Sequence, residues 1–187
     1  MSNFSRVNRE LLHDFSFFSV VKDTIHESTL DKTFSRNAVS HIGAVAVIPV
    51  LENGDIALIK QYRGTIDQES LEAVAGRRDV ENEDLETCAK RELAEEIGYS
   101  TNELVALGFV HTTPGFCDEK IYLFLAKDCQ KLEENEPDGL EEQFAQTITT
   151  SIDKAIEWAL DGTITDGKTI ANLFRAANVL GFSTTKI

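Results

Sequence analysis

The sequence predicts an α/β protein in which a mixed β-sheet lies between helices as an α/β/α sandwich, with a small antiparallel β-sheet at the N-terminus. Two observations predict it. Short β-prone runs alternate with helical segments along the chain, without a repeat or a low-complexity linker. The run GAVAVIPV over 43–50 reads as a buried strand, and the helical segments fall after it, one in mid-chain and two near the end. The expected division is residues 1–40 as a β-sheet appendage and residues 41–187 as the main domain.

In chain order, Phe17–Thr24 and Lys32–Ser40 are short β-prone segments separated by HESTLD, a hairpin-like pair. Such a pair is marginal alone. Residues 1–40 nevertheless hold Phe4, Phe15, Phe17, Phe18 and Phe34, more rings than a two- or three-stranded sheet can bury, so they need another surface. Ile56–Tyr62 follows the strand at 43–50 through Asn53-Gly54, a strong hairpin signal. After a mid-chain helix come strands near Leu104–Thr112 and Lys120–Ala126. The glutamate-rich stretch Asp128–Gln146 reads as a solvated loop, and helices follow over Ile152–Leu160, with Ser151 as N-cap, and from Lys168 to about Leu180.

The 187 residues suffice for one well-buried domain and an appendage. No apolar run reaches the length of a membrane span and no basic, apolar leader opens the chain, so a cytoplasmic protein without a membrane partner is expected. Cys88, Cys117 and Cys129 are odd in number and lack CxxC spacing, which argues against a disulfide framework and a zinc site. They read as small buried or half-buried thiols. The net charge of −14 opposes a broad nucleic-acid contact. Any phosphorylated substrate must therefore be neutralised locally, by metal ions and a few placed arginines.

The most informative stretch is Gly76 to Tyr99, GRRDVENEDLETCAKRELAEEIGY. It packs Glu92, Glu95 and Glu96 into the tail of a helix, where the backbone is already partly negative and Glu92 and Glu96 form a like-charged i,i+4 pair. Each effect is unfavourable by roughly a few tenths of a kcal/mol. The three share an arc of roughly 100°, while Ala89, Leu93 and Ile97 stack on another side. Oxygen donors at that density suit Mg²⁺ or Mn²⁺.

Arg91-Glu92-Leu93-Ala94-Glu95-Glu96-Ile97-Gly98-Tyr99 fits REUxEExGU, with U apolar or aromatic, and so resembles the Nudix box of the Nudix hydrolases. Glu83 stands at the pattern's spacing from Arg91, but six residues rather than five separate Gly76 from Glu83. The extra residue falls in RRDVEN, read as the loop before the helix. Pro114, in HTTPGF and 16 positions after Gly98, resembles the ADP-ribose pyrophosphatase branch, as do Gln61-Tyr62-Arg63 and SLEAVAG over 70–76. A Pro-Gly pair is otherwise a plain tight turn.

That resemblance implies a Nudix-type sandwich over roughly 41–187 and Mg²⁺-dependent hydrolysis of the ADP-ribose diphosphate to AMP and ribose 5-phosphate. It implies the Ala75 carbonyl, Glu92 and Glu96 as metal ligands, with Glu95 sharing a further ion and Arg91 orienting them; Arg91 is otherwise an i,i+4 partner of Glu95. Arg63 and Glu72 would meet substrate together with Pro114. Arg36 and Phe17 match adenine-holding positions, Phe17 from a partner subunit of a homodimer built through the N-terminal sheet; the plainer reading of Phe17 is core or interface. The catalytic base falls on Glu141, with Glu142 as its close rival. Another nucleoside diphosphate sugar such as GDP-mannose is the runner-up substrate. A non-catalytic ADP-ribose-binding sensor is the alternative of another class, opposed by the intact box carboxylates and the lack of a segment able to read DNA.

Overall fold

The computed structural model describes residues 2–133 and 144–182. Its contacts gather into two units, Met1–Gly43 with His111–Lys120, and Ala44–Val110 with Ile121–Ile187. The first unit is a three-stranded antiparallel sheet of β1 (Phe4–Asp14), β2 (Phe18–Glu27) and β3 (Lys32–His41), in that order. The sequence pattern misses β1. Register shifts between Arg6 and Asn8 and between Leu11 and His13 break the two-residue alternation by which a strand is recognised, and β1 is exposed along almost its whole length.

Segment 111–120 of the same unit runs beside β3, where the Val39 N–H donates to the Phe116 carbonyl at 2.7 Å and the Asp118 N–H donates to the Val39 carbonyl at 3.0 Å. Arg9 ties the pieces together. Its Nε and Nη2 donate to the two oxygens of Asp23 at 2.7 and 2.8 Å, and its Nη1 donates to Asp118 at 2.9 Å. Pro114 sits in the expected turn, closed by the Phe116 and Cys117 N–H groups donating to the Thr113 carbonyl.

The second unit is built on β4 (Ala44–Leu51), β5 (Ile56–Arg63), β6 (Gln68–Glu72), β7 (Val74–Arg77), α1 (Leu85–Ile97), β8 (Tyr99–Ser100), β9 (Glu103–His111), β10 (Lys120–Lys131), β11 (Gln146–Thr150), α2 (Ile152–Asp161) and α3 (Gly167–Val179). The sheet runs β11-β5-β4-β10-β8, with β6 on β5, β7 on β4 and β9 on β10. It is mixed: β4 and β10 are parallel, while β5 is antiparallel to β4, β6 and β11. Side chains alternate between two cores, as strand geometry requires. Val45, Val47, Ala57 and Ile59 pack with Ala89, Leu93 and Ile97 of α1. Ile48, Ile56 and Leu58 pack with Ile152 and Ala155 of α2 and Leu173 and Ala176 of α3. The sheet therefore lies between α1 and the α2–α3 pair, the expected sandwich.

One junction positions the site. Glu72, the last residue of β6, pairs with Ile59 of β5, whereas Val74, the first of β7, pairs with Val47 of β4. Ala73 is the single residue at which the chain changes neighbour. Its N–H is satisfied by the Thr169 hydroxyl of α3, at 2.7 Å. No described helix is long and apolar enough to cross a membrane.

Candidate active site

Helix α1 starts where Asp84 accepts the Glu86 and Thr87 N–H groups, each at 3.0 Å, and ends where Gly98 turns left-handed at φ +68° and donates its N–H to the Ala94 carbonyl. The glycine of the motif is thus the helix stop. The residue added to the pattern falls in the loop before α1, whose Asn82 adopts a left-handed φ of 62°. Along the helix the buried face takes in Cys88, Ala89, Leu93 and Ile97, and with them Glu92 and Glu96, which are 7 % and 9 % exposed. The last turn holds no basic residue.

Both glutamates lie against β7. The Ala75 N–H donates to Glu96 Oε2 at 2.9 Å. At Gly76 a Cβ would stand 1.7 Å from the carboxyl carbon of Glu92 and 2.0 Å from both its oxygens. Any side chain at position 76 would meet that carboxylate, which gives the motif's first glycine a steric meaning. Burial pushes the Glu92 carboxyl up to about 7, against the attraction of Arg91 and reinforced by Glu95.

Arg91 gathers the remaining charge. Its Nε and Nη2 donate to the two oxygens of Glu83 at 3.0 and 3.1 Å, and its Nη1 lies 2.8 Å from both Glu95 Oε2 and Glu92 Oε1. The two readings of Arg91 are therefore compatible, since it makes the i,i+4 pair with Glu95 while joining three carboxylates. The Glu83 hydrogen bond, ahead of an opposing burial effect, raises its pKa and keeps it charged.

The resemblance implies a divalent cation here, and the donor set fits one. All the candidates are oxygens, which suit a hard ion, and a buried carboxyl near 7 beside a second buried glutamate is relieved by added positive charge. Among the described residues no three His, Cys, Asp or Glu side chains converge as a closed cage; Arg91 holds Glu92 and Glu95 instead.

Arg63, at the end of β5, is gripped by Glu72: Nε to Oε1 at 2.9 Å and Nη2 to Oε2 at 2.7 Å. Glu72 is 3 % exposed and also pairs with Lys168 of α3, which reaches Asp166 at 2.9 Å. Burial pushes the Glu72 carboxyl up, but the hydrogen bond from Arg63 and the charge of Lys168 outweigh it and hold it at about 2. Arg63 is held charged first by Glu72, and further by the Glu96 and Asp166 carboxylates.

Arg63, Glu72, Ala75, Arg91, Glu92, Glu95 and Glu96 thus belong to the second unit, whereas Phe17, Arg36 and Pro114 belong to the first. Phe17 is half-buried, edge-on to Phe18 and His41 at 5.0 and 5.8 Å. Arg36 is exposed with its guanidinium 4.8 Å over the Phe34 ring. Glu141 and Glu142 lie outside the described residues. Sequence reasoning missed Lys168, Asp166 and Thr169. The only local signal is Asp166-Gly167-Lys168-Thr169 at a helix start, which announces a cap but not its partners.

The Glu72 cluster carries a pH signature. Because its carboxyl lies below the ordinary 4.5, the stability it contributes is complete above about pH 4.5 and is lost as pH falls towards 2. Glu72→Gln, which leaves Lys168 and Arg63 short of a counter-charge, is expected to cost about 3 kcal/mol at neutral pH. In thermal melts its deficit against wild type should shrink below about pH 4.5. A deficit constant down to about pH 2.5 would contradict this account.

The family description "NUDIX domain" matches residues 40–173. The chain is 35 % identical over 138 residues to an ADP-ribose pyrophosphatase of Bacillus subtilis (strain 168), covering 74 % of each chain. It is 31 % identical over 134 residues to a GDP-mannose pyrophosphatase of Cronobacter sakazakii (strain ATCC BAA-894), covering 68 % of this chain and 69 % of that one. A crystal structure described as an ADP compounds hydrolase shares the fold, with a TM-score of 0.80 over 98 % of both chains at 19 % identity. With the box helix seated on Ala75 and Gly76 and the family match spanning most of its length, the chain belongs to the Nudix family and is a Nudix hydrolase.

Proposed function

We propose that this chain hydrolyses the diphosphate bond of ADP-ribose, giving AMP and ribose 5-phosphate, with Mg²⁺ as its cation and Mn²⁺ as a substitute. The observation that carries the reading is the seating of Glu92 and Glu96, buried and like-charged, on Ala75 and Gly76. Nudix hydrolases generally use divalent metal ions. Held by Glu92, Glu96 and the Ala75 carbonyl, with Glu95 sharing a further ion, the metal would supply Lewis-acid stabilisation of the charge that develops on the diphosphate. Arg91, anchored on Glu83, orients Glu92 and Glu95. Arg63, steadied by Glu72, pairs with a phosphate oxygen pair in the planar manner of guanidinium groups. A loop glutamate, Glu141 with Glu142 as rival, takes the proton of the attacking water; Arg36, with Phe17 supplied across the dimer, holds the adenine, and Pro114 is a further substrate-binding residue. The ADP-ribose pyrophosphatase relative supports this substrate. The GDP-mannose pyrophosphatase relative favours a second reading, another nucleoside diphosphate sugar at the same site.

An initial-rate panel of ADP-ribose, GDP-mannose, UDP-glucose and NADH with Mg²⁺ decides between them. The proposal expects kcat/KM for ADP-ribose to lead by about tenfold or more. A lead for GDP-mannose moves the assignment to the second reading, and equal rates leave only the reaction class.

On the preferred substrate, Glu96→Gln and Glu141→Gln are each expected to lower kcat by about a hundredfold. Only Glu96→Gln should also weaken metal binding, with its melting temperature unchanged or slightly raised in the absence of metal. A larger loss in Glu142→Gln than in Glu141→Gln would transfer the base to Glu142; mild effects of both would remove the loop base.

We also propose a two-fold homodimer through the N-terminal sheet. What supports it is the apolar surface this sheet leaves exposed, with Phe4, Val7, Leu11, Leu12 and Phe15 each 45 % exposed or more. Light scattering at micromolar concentration should report twice the 20.8 kDa chain mass. A fully active monomer would overturn both the dimer and any role for Phe17 across it.

A further inference from the structure

The second unit contains a polar staple that the reading above does not use. We propose that Lys168 and Thr169, in the first turn of α3, are positioning residues for the reaction: Thr169 fixes the β6–β7 hand-over that presents Ala75 to the cation, and Lys168 sets how tightly Glu72 holds Arg63. The inference rests on the reading of Ala75, Glu92 and Glu96 as metal ligands.

Ala73 is the residue at which the strand leaves β5 for β4, and its buried N–H depends on the Thr169 hydroxyl. Thr169 is fully buried and its own hydroxyl donates to Asp166, whose carboxylate also accepts the Thr169 N–H at 3.0 Å. The hydroxyl is therefore fixed in orientation, its proton towards Asp166 and its lone pair towards Ala73. Two residues along the strand stands Ala75, tied to Glu96, and then Gly76, on which Glu92 lies. A second contact from the same helix reaches the paired strand. Asn172 Nδ2 donates to the carbonyl of Ala46 at 3.0 Å, and Ala46 is the register partner of Ala75. Helix α3 thus grips both strands at the height of the carboxylate seat.

Lys168 acts on the other branch. Glu72 Oε2 is shared between Lys168 and Arg63, and Asp166 completes a cluster of two cations and two anions. Without Lys168 the whole charge of Glu72 falls on Arg63 and draws its guanidinium away from any second anion. With Lys168 present the grip is divided, and Arg63 stays oriented while able to meet a phosphate.

The test uses Thr169→Val, Thr169→Ser, Lys168→Met and Lys168→Arg in the full chain. Mn²⁺ binding is measured without substrate, from the free-ion electron paramagnetic resonance signal; kcat and KM are measured on whichever substrate wild type prefers, and melting temperature in parallel. Thr169→Val is expected to raise the Mn²⁺ Kd about tenfold, and Thr169→Ser to restore it to within about twofold of wild type. Lys168→Met is expected to raise KM about tenfold while kcat stays within about threefold, and Lys168→Arg to recover most of that loss. Lowered melting temperatures with Mn²⁺ Kd and KM both within about twofold of wild type would make the turn merely structural and overturn the inference while leaving the metal site intact. A wild-type chain that binds no Mn²⁺ would instead remove the metal site itself, and the inference with it.

Discussion

Two like-charged glutamates buried at the negative end of a helix, against the backbone of a strand, are the constraint around which the second unit is organised. The helix-end charge and the Glu92–Glu96 repulsion are unfavourable by roughly a few tenths of a kcal/mol each. The larger cost is desolvation, which lifts the Glu92 carboxyl to about 7. Nothing in core packing requires carboxylates there, because Ala89, Leu93 and Ile97 already close the helix against the sheet. The surroundings instead accommodate them: Gly76 clears space for Glu92, the Ala75 N–H meets Glu96, and Arg91, anchored on Glu83, gathers Glu92 and Glu95. Stability is given up locally in favour of a negatively charged seat, a pattern expected of a functional site.

That seat can only be as well placed as the strand beneath it. β7 is four residues long and joins β6 through one residue, so its position depends on contacts beyond its own ladder. The first two turns of α3 supply them through buried polar groups whose hydrogen bonds have fixed direction, where an apolar contact would leave the strand freer to slide. In the first unit Arg9 has a comparable part, holding Asp23 of β2 and Asp118 of the Pro114 segment with one guanidinium. In both units a directional polar contact joins segments far apart in sequence, charge-assisted in the first and neutral in the second.

Local pattern accounts for what was legible in the sequence. The α1 motif, the Ser151 cap and the buried run of β4 are all written within a few residues, where periodicity and capping chemistry act. β1 was hidden by its two register shifts, and β6, β7, β8 and β11 are too short to show a period. Within the site, the glutamates of the helix could be read from their spacing. The partnership of Glu72 with Lys168 could not, since the two lie 96 positions apart and a lone lysine after a capping aspartate looks like ordinary helix-start chemistry. The resemblance names both Arg63 and Glu72 as substrate-binding residues, but not that one grips the other.

The central claim, that the Glu92–Glu96 seat on β7 exists to hold a divalent cation, is tested most directly by anomalous diffraction at the manganese edge from crystals of the wild-type chain soaked in Mn²⁺. The account predicts an anomalous peak bounded by the Glu92 and Glu96 carboxylates and the Ala75 carbonyl, with Arg91 still on Glu83. No peak at that position at millimolar Mn²⁺, with Arg91 keeping hold of Glu92, would contradict it and return α1 to the status of an acidic structural helix.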